Sequence, residues 1–196
     1  MSWRWHSVNR GDLAYSALDD RELPTDGWPE VVLMGRSNSG KSSLLNALLN
    51  RKTARVSAHP GHTRRIHFYQ VKQWYLVDLP GFGYAVGDLA DKERFSRAVD
   101  RYLKTRQTIV GGILIQDVRR NPEAEELMLR DWAQDRGVPL LVAANKADKL
   151  SKTAAGERLD ALGVQYRVPV VLVSARTKSG LASIRDTLSG LGLGGL

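Results

Sequence analysis

One stretch constrains this chain more than any other: Gly35–Ser42, GRSNSGKS, spells G-x-x-x-x-G-K-[ST]. It lies where the apolar run Glu30–Met34 (EVVLM) gives way to Ser42–Asn50 (SSLLNALLN). A short apolar run bounded by glycine reads as a buried strand, and the longer run with three- and four-residue spacing as a helix. Glycines at such a turn let backbone N–H groups converge on phosphate oxygens, and the helix start adds the positive end of its dipole. Lys41 then reaches the β and γ phosphates, and Ser42 offers a hydroxyl to Mg²⁺. An ordinary strand-to-helix turn has no need of Lys-Ser at that place.

The rest of the chain repeats the pattern. Ile66–Val71 and Gln73–Val77 read as a hairpin around Lys72, and Leu89–Thr105 as a helix with Phe95, Ala98, Val99, Tyr102 and Leu103 on one face. Ile109–Ile115 is a strand; Asn121 caps a helix with Pro122 in its first turn, which sets Leu127, Met128 and Trp132 on one face and ends at Gly137. Val138–Ala144, a helix near Thr153–Leu162, Val168–Val173 and a helix over Leu181–Leu188 complete six strands and five helices. Alternating strands and helices specify an α/β domain with a mainly parallel sheet. The 196 residues accommodate one such core. The expected organisation is an N-terminal arm over 1–28, one domain over 29–189 and a flexible Gly-rich tail over 190–196.

Further chemistry sits at the ends of the expected strands, where open α/β sheets carry their ligands. Asp78 opens Asp78-Leu79-Pro80-Gly81; its carboxylate can hold Mg²⁺ directly or through water, and the Gly81 N–H can face a γ-phosphate. Asn145-Lys146-Ala147-Asp148 follows the next-but-one apolar run. The Asp148 carboxylate can accept from the guanine N1–H and 2-amino group, whereas adenine would leave it desolvated and unpaired. Asn145 can tie this segment to the phosphate loop, the Lys146 stem can lie on the base, and a backbone N–H of Ser174-Ala175 can donate to guanine O6. Thr63, in Gly61-His62-Thr63 just before a strand, is the expected second Mg²⁺ hydroxyl, with Thr53 its competitor. His59, His62 and His67 allow a metal cluster, although neutral loop histidines near anions are commoner.

With no cysteine among its residues, the chain has neither disulfides nor thiolate metal sites. Met1–Arg10 lacks the apolar stretch of a secretory signal, and no run approaches the ~20 residues of a membrane helix, so a cytoplasmic protein without stable membrane insertion is expected. Trp3 and Trp5 read as part of a loose arm. Lysine and arginine number 29 against 21 acids, a net charge of +8, which attracts polyanions: RNA, DNA or anionic lipid. The excess concentrates in the acid-free Arg51–His67, with Arg101, Lys104 and Arg106 an alternative patch.

GRSNSGKSSLLNAL, PGHTRRIHFY, DLPGFGYA, NKADK and SARTKSGL, in this order, resemble the EngB/YihA (YsxC-type) ribosome-biogenesis GTPases from about Tyr15 to Leu188. The resemblance implies a Ras-like P-loop GTPase fold, a six-stranded sheet with one antiparallel strand and helices on both faces. It also implies a monomer that binds GTP or GDP with Mg²⁺, assists assembly of the large ribosomal subunit and is needed for normal cell division and septation. Carried onto this chain, nucleotide is held by Gly35, Arg36, Ser37, Asn38, Ser39, Gly40, Lys41, Ser42 and Ser43. Gly61, His62, Thr63, Arg64 and Arg65 form the first switch, and Asp78, Leu79, Pro80 and Gly81 begin the second. Asn145, Lys146, Ala147, Asp148, Val173, Ser174 and Ala175 surround the base. Lys41, Thr63 and Gly81 are the catalytic group, and Ser42, Thr63 and Asp78 the metal group, Asp78 through water. Ser39 stands where the family usually has valine, Arg64 and His67 where it has Gln and Asn, and Asn145 where Thr is frequent.

Ras-like enzymes place a water-orienting glutamine where this chain has Phe82, which implies slow intrinsic hydrolysis accelerated by a partner, RNA or a monovalent cation. Asn38 is where some related GTPases hold K⁺, so K⁺ is the candidate second cation; its alternative is to cap the loop through its own backbone. A phosphotransferase using the same phosphate loop would have no use for Asn-Lys-x-Asp.

Overall fold

The computed structural model describes residues 11–51, 65–82 and 89–196, with the backbone alone over 89–96. Seven strands form one sheet: β1 (Leu13–Ala17), β2 (Glu30–Gly35), β3 (Ile66–Val71), β4 (Trp74–Asp78), β5 (Ile109–Asp117), β6 (Leu140–Asn145) and β7 (Val170–Leu172). Their order is β1-β3-β4-β2-β5-β6-β7. β3 runs antiparallel to both neighbours, and the pairings from β4 through β7 are parallel. Helices α1 (Lys41–Leu49) and α5 (Leu181–Gly190) pack on one face. On the other lie α2 (Leu89–Thr105), α3 (Ala124–Asp135) and α4 (Lys152–Tyr166). The central strands β2 and β4 are buried along their whole length, as continuous apolar runs covered on both faces must be.

The seventh strand corrects the expected count of six. β1 comes from the stretch read as an arm, because its alternation is weak and Leu13 and Tyr15 stay exposed. Its partners supply what its own pattern lacks. Leu13 to Ala17 pair with Tyr69 to Ile66, and Gly11 and Gln70 extend the ladder through Gly11 N–H to Gln70 O at 2.7 Å. Arg65 clasps the strand from its far end, donating Nε to Ser16 Oγ at 2.9 Å and Nη2 to Ser16 O at 2.8 Å.

A second correction concerns α3. Its cap is Glu123, whose carboxylate accepts from the Glu126 N–H while its own N–H donates to the Glu126 carboxylate, a reciprocal capping box, so the helix begins after Pro122. The Asn121 side chain instead accepts from Arg158. Met128, expected beside Leu127 and Trp132, is 68% exposed while those two pack on the core. The tail after α5 is not helical, and it docks: Leu193 is buried, and Trp74 Nε1 donates to Gly194 O at 2.9 Å.

At the opposite end of the sheet from the strand carboxyl termini, Glu30 is fully buried at the start of β2. Its carboxylate accepts from Arg106, from Thr108 Oγ1 at 2.7 Å and from Tyr102 OH at 2.5 Å. Burial followed by the adjacent carboxylate raises the Tyr102 hydroxyl well above its ordinary range. This fixes the end of α2 and the turn after it to the base of the sheet.

Candidate functional site

The site forms where β2, β4, β5 and β6 end. After Gly35 the backbone turns back on itself: Asn38 adopts φ +66° and Gly40 φ +94°, and α1 starts at Lys41. Asparagine tolerates the left-handed region, but Gly40 has a second constraint. A Cβ there would lie 2.3 Å from Asn145 Nδ2, so only glycine fits. Lys41 and Asp78 are both buried, and Lys41 Nζ donates to Asp78 Oδ1. Ser42 and Ser43 occupy the first turn of α1. Ser39 is 4% exposed, and its hydroxyl has no hydrogen-bond partner among the described residues.

Register brings Asp78 beside the loop, since β2 and β4 pair Leu33 with Asp78. Beyond that point the two chains meet again: Arg36 bridges Phe82, and Ser37 N–H donates to Phe82 O at 3.0 Å. Gly81 lies under this contact, where a Cβ would approach Ser37 N to 3.0 Å. Leu79 is buried in the apolar core, so its part in the segment is packing, and Phe82 packs against the same core.

Asn145 ends β6, buried, and bonds in both directions. Its Nδ2 donates to Ser39 O at 3.0 Å, and its Oδ1 accepts from Ala175 N–H at 3.1 Å. Lys146 follows with φ +67°; its Nζ donates to Asn38 O at 2.6 Å and pairs with Asp117 at 3.0 Å. Asp148 accepts from Ser174 Oγ at 2.6 Å and from Arg176 Nε at 2.8 Å. Those two bonds, Ser174 first, hold its carboxyl below the ordinary carboxylate value. Val173 O accepts from Ala147 N–H at 3.0 Å, which joins the two base-side segments. The N–H groups of Ser174 and Ala175, expected to offer a donor to guanine O6, are both engaged, by Ser179 O and Asn145 Oδ1.

The structure also brings in residues that motif reading passed over. Asp117, at the end of β5, is held by Arg119 through Nε to Oδ1 at 2.9 Å and Nη2 to Oδ2 at 2.7 Å. Burial would raise its carboxyl, but the bonds from Arg119 and Lys146 outweigh this and set it well below the usual range. With Arg36, Ser37, Asn38 and Lys146 these two line a cavity of about 240 Å³ beside the phosphate loop. The only signal in the sequence was the Asp-x-Arg closing a buried strand. Arg176, on Asp148, was a second omission.

Other expected residues fall differently. Gly61, His62, Thr63 and Arg64, with Thr53 and His59, lie outside the described residues. Arg65 is not brought to the phosphate loop: Ser16 and Glu22 engage its guanidinium. His67 sits opposite Asp78 in the β3–β4 ladder, its pKa lowered by burial against the opposing pull of Asp78. Arg101 pairs with Asp20, Lys104 with Asp100 and Arg106 with Glu30, so the alternative basic patch is largely neutralised. No group of three or more His, Asp and Glu is placed to hold a metal among the described residues. The Ser42 hydroxyl and the Asp78 carboxylate, one in the first turn of α1 and the other at the end of β4, are hard oxygens of the kind Mg²⁺ takes.

Fold and site together define a mononucleotide-binding α/β domain built on a phosphate loop. A family model described as 50S ribosome-binding GTPase matches residues 30–146. A probable GTP-binding protein EngB of Pelotomaculum thermopropionicum is 38% identical over 187 residues, covering 92% of this chain and 94% of that relative. One from Limosilactobacillus reuteri is 37% identical over 179 residues, 88% of this chain and 91% of its own. The chain therefore belongs to the 50S ribosome-binding GTPase family, within its EngB group. Among solved structures, that of a probable GTP-binding protein engB superposes with TM-score 0.68 at 22% identity, over 83% of this chain and 97% of that one. The G domain of the T. maritima FeoB iron transporter gives 0.57 at 26% identity, over 84% and 98%. No helix among the described residues is long and apolar enough to cross a membrane.

Proposed function

We propose that this chain binds GTP and GDP at Gly35–Ser43, Asp78–Gly81, Asn145–Asp148 and Val173–Ala175, with the first switch around Thr63. In this reading it hydrolyses GTP to GDP and phosphate, and acts as a monomeric cytoplasmic switch in assembly of the large ribosomal subunit, on which normal division and septation depend. One observation carries the nucleotide reading. Asn145 joins Ser39 O in the phosphate loop to Ala175 N–H beside Asp148, so the phosphate cradle and the base-side segments form one continuous site. A small-acceptor kinase would not need that link.

The residues divide the work. Lys41, poised on Asp78, transfers its donors to phosphate oxygens as nucleotide enters, where the buried setting strengthens the pairing. Ser42, Thr63 and Asp78 would hold Mg²⁺, which when bound neutralises charge on the β and γ oxygens. The Gly81 N–H faces the γ-phosphate. Asp148, kept ionised by Ser174 and Arg176, takes the guanine N1–H and 2-amino group by exchange with those partners. Phe82 packs on the core and cannot orient water, so hydrolysis is slow until a partner, RNA or K⁺ at Asn38 assists. The net charge of +8 and the family description support a ribosomal partner.

Displacement of fluorescent GDP tests the site. GDP competes and ADP does not, and Asp148→Asn moves the preference toward XDP; equal competition by ADP refutes the base reading. Sedimentation with large ribosomal subunits, with GTP analogue or GDP over a salt series, tests the switch. Arg64→Ala lowers the log–log salt slope by about 1, the share of one phosphate contact. Binding indifferent to nucleotide refutes the switch.

A further inference from the structure

Resting on the nucleotide-binding reading above, we propose that Asp117 is a positioning residue: it holds the Lys146 ammonium on the phosphate loop and so couples base reading to phosphate binding. Asp117 closes β5 in register with Asn145, and the Val118 N–H bonds to Asn145 O at 2.9 Å, so the two strand ends move as one. Its Oδ2 lies 3.0 Å from Lys146 Nζ, and the same nitrogen donates to Asn38 O at 2.6 Å.

Both residues that Lys146 joins are held in the left-handed region, Asn38 at φ +66° and Lys146 itself at φ +67°. Non-glycine residues stay there only where their surroundings fix them. A lysine ammonium alone is a poor fixing point, because it is strongly hydrated and sits on a flexible stem. A carboxylate 9% exposed, facing it from a rigid strand end, removes that freedom. Arg119 grips the carboxylate from the other side through both oxygens, and its own backbone N–H adds a bond to Oδ1 at 3.1 Å, so Asp117 cannot turn away. The chain of contacts runs from β5 through Lys146 to the phosphate loop, while Asn145 makes a parallel link to Ser39 O.

The competing account gives Asp117 a local role only, as partner of Arg119 in the turn after β5. The two accounts differ in a double-mutant cycle. GDP dissociation constants and off-rates are measured by stopped flow for wild type, Asp117→Asn, Lys146→Met, the double variant and Arg119→Ala, with thermal unfolding alongside. Asp117→Asn keeps the shape and removes the charge. It weakens GDP about tenfold, mostly in the off-rate, as loss of a charged hydrogen-bond partner does. Lys146→Met, which keeps the stem, reproduces at least that loss, and the double variant loses no more than Lys146→Met alone. Arg119→Ala, which frees one side of the Asp117 carboxylate but leaves its charge facing Lys146, weakens GDP by less than Asp117→Asn does. Losses that add in the double variant, or an Asp117→Asn protein that holds GDP as wild type does, overturn the proposal. Should Asp117→Asn not fold, a Lys146→Met protein with wild-type affinity overturns it equally. Wild-type protein that fails to bind GDP, or binds ADP as well, is a different failure, that of the nucleotide reading.

Discussion

Ser39 offers a test of how the phosphate loop is built. Its hydroxyl is buried without a hydrogen-bond partner among the described residues, 2.9 Å from where a Cβ on Gly35 would stand. It therefore fills the notch left by the missing Gly35 side chain while gaining nothing from its polarity. A desolvated, unbonded hydroxyl costs about 1–3 kcal/mol in protein settings. Ser39→Ala removes that cost and should stabilise by about 1 kcal/mol after the smaller volume is counted. Ser39→Val places a methyl in the same notch and adds a second. The added burial is worth about 0.8 kcal/mol per methyl, against an overpacking cost of about 1 kcal/mol. The expected net gain is about 1–2 kcal/mol, which for a domain of this size raises the melting temperature by about 2–8 °C. Calorimetry in the presence and absence of saturating GDP measures it, with Ser39→Ala separating the polar part from the packing part. If both variants melt below wild type, the hydroxyl is bonded and the reasoning is wrong; if only Ser39→Val does, the notch is too small for the second methyl.

Arg106→Ala leaves the buried Glu30 carboxylate without its cation and should destabilise by about 3–5 kcal/mol in urea unfolding; a loss below 1 kcal/mol would show that Tyr102 and Thr108 suffice. Thr63→Ala should spare GDP affinity and erode preference for the triphosphate, while Ser42→Ala damages Mg²⁺-dependent binding of both; the same triphosphate-specific loss from Thr53→Ala instead would transfer the role. Single-turnover hydrolysis should be faster in K⁺ than in Na⁺ or Cs⁺ at constant ionic strength, and Asn38→Ala should abolish the difference. Equal rates in the three salts leave acceleration to a partner.

The alternation of buried runs with helices, and three motifs at strand ends, were readable because each depends on neighbours in the chain. The places where expectation failed depend on distant ones. β1 is a strand only because β3 presents a free edge and Arg65 grips Ser16. Nothing within Leu13–Ala17 announces it. Asn121-Pro122 looked like a helix start, and the capping box of Glu123 and Glu126 displaced it by two residues, a local signal outcompeted by a better one nearby. Asp117 was invisible for another reason: its meaning comes from Lys146 just past the end of the neighbouring strand, and a lone acid at a strand end has many uses. Arg65, placed in the first switch by resemblance, is engaged here by Ser16 and Glu22, partners far away in the chain that its motif could not announce.

The 2.3 Å approach that a Cβ on Gly40 would make to Asn145 Nδ2 has a historical consequence. The constraint runs one way: a side chain at position 40 would meet the Asn145 amide, whereas a smaller residue at 145 leaves Gly40 untouched. A lineage that replaced Gly40 would first need a smaller residue at 145, and that residue would lack the amide that reaches both Ser39 O and Ala175 N–H. Two motifs far apart in the sequence are in this respect ordered in time: position 145 can change while Gly40 stays, but Gly40 cannot change while Asn145 stays.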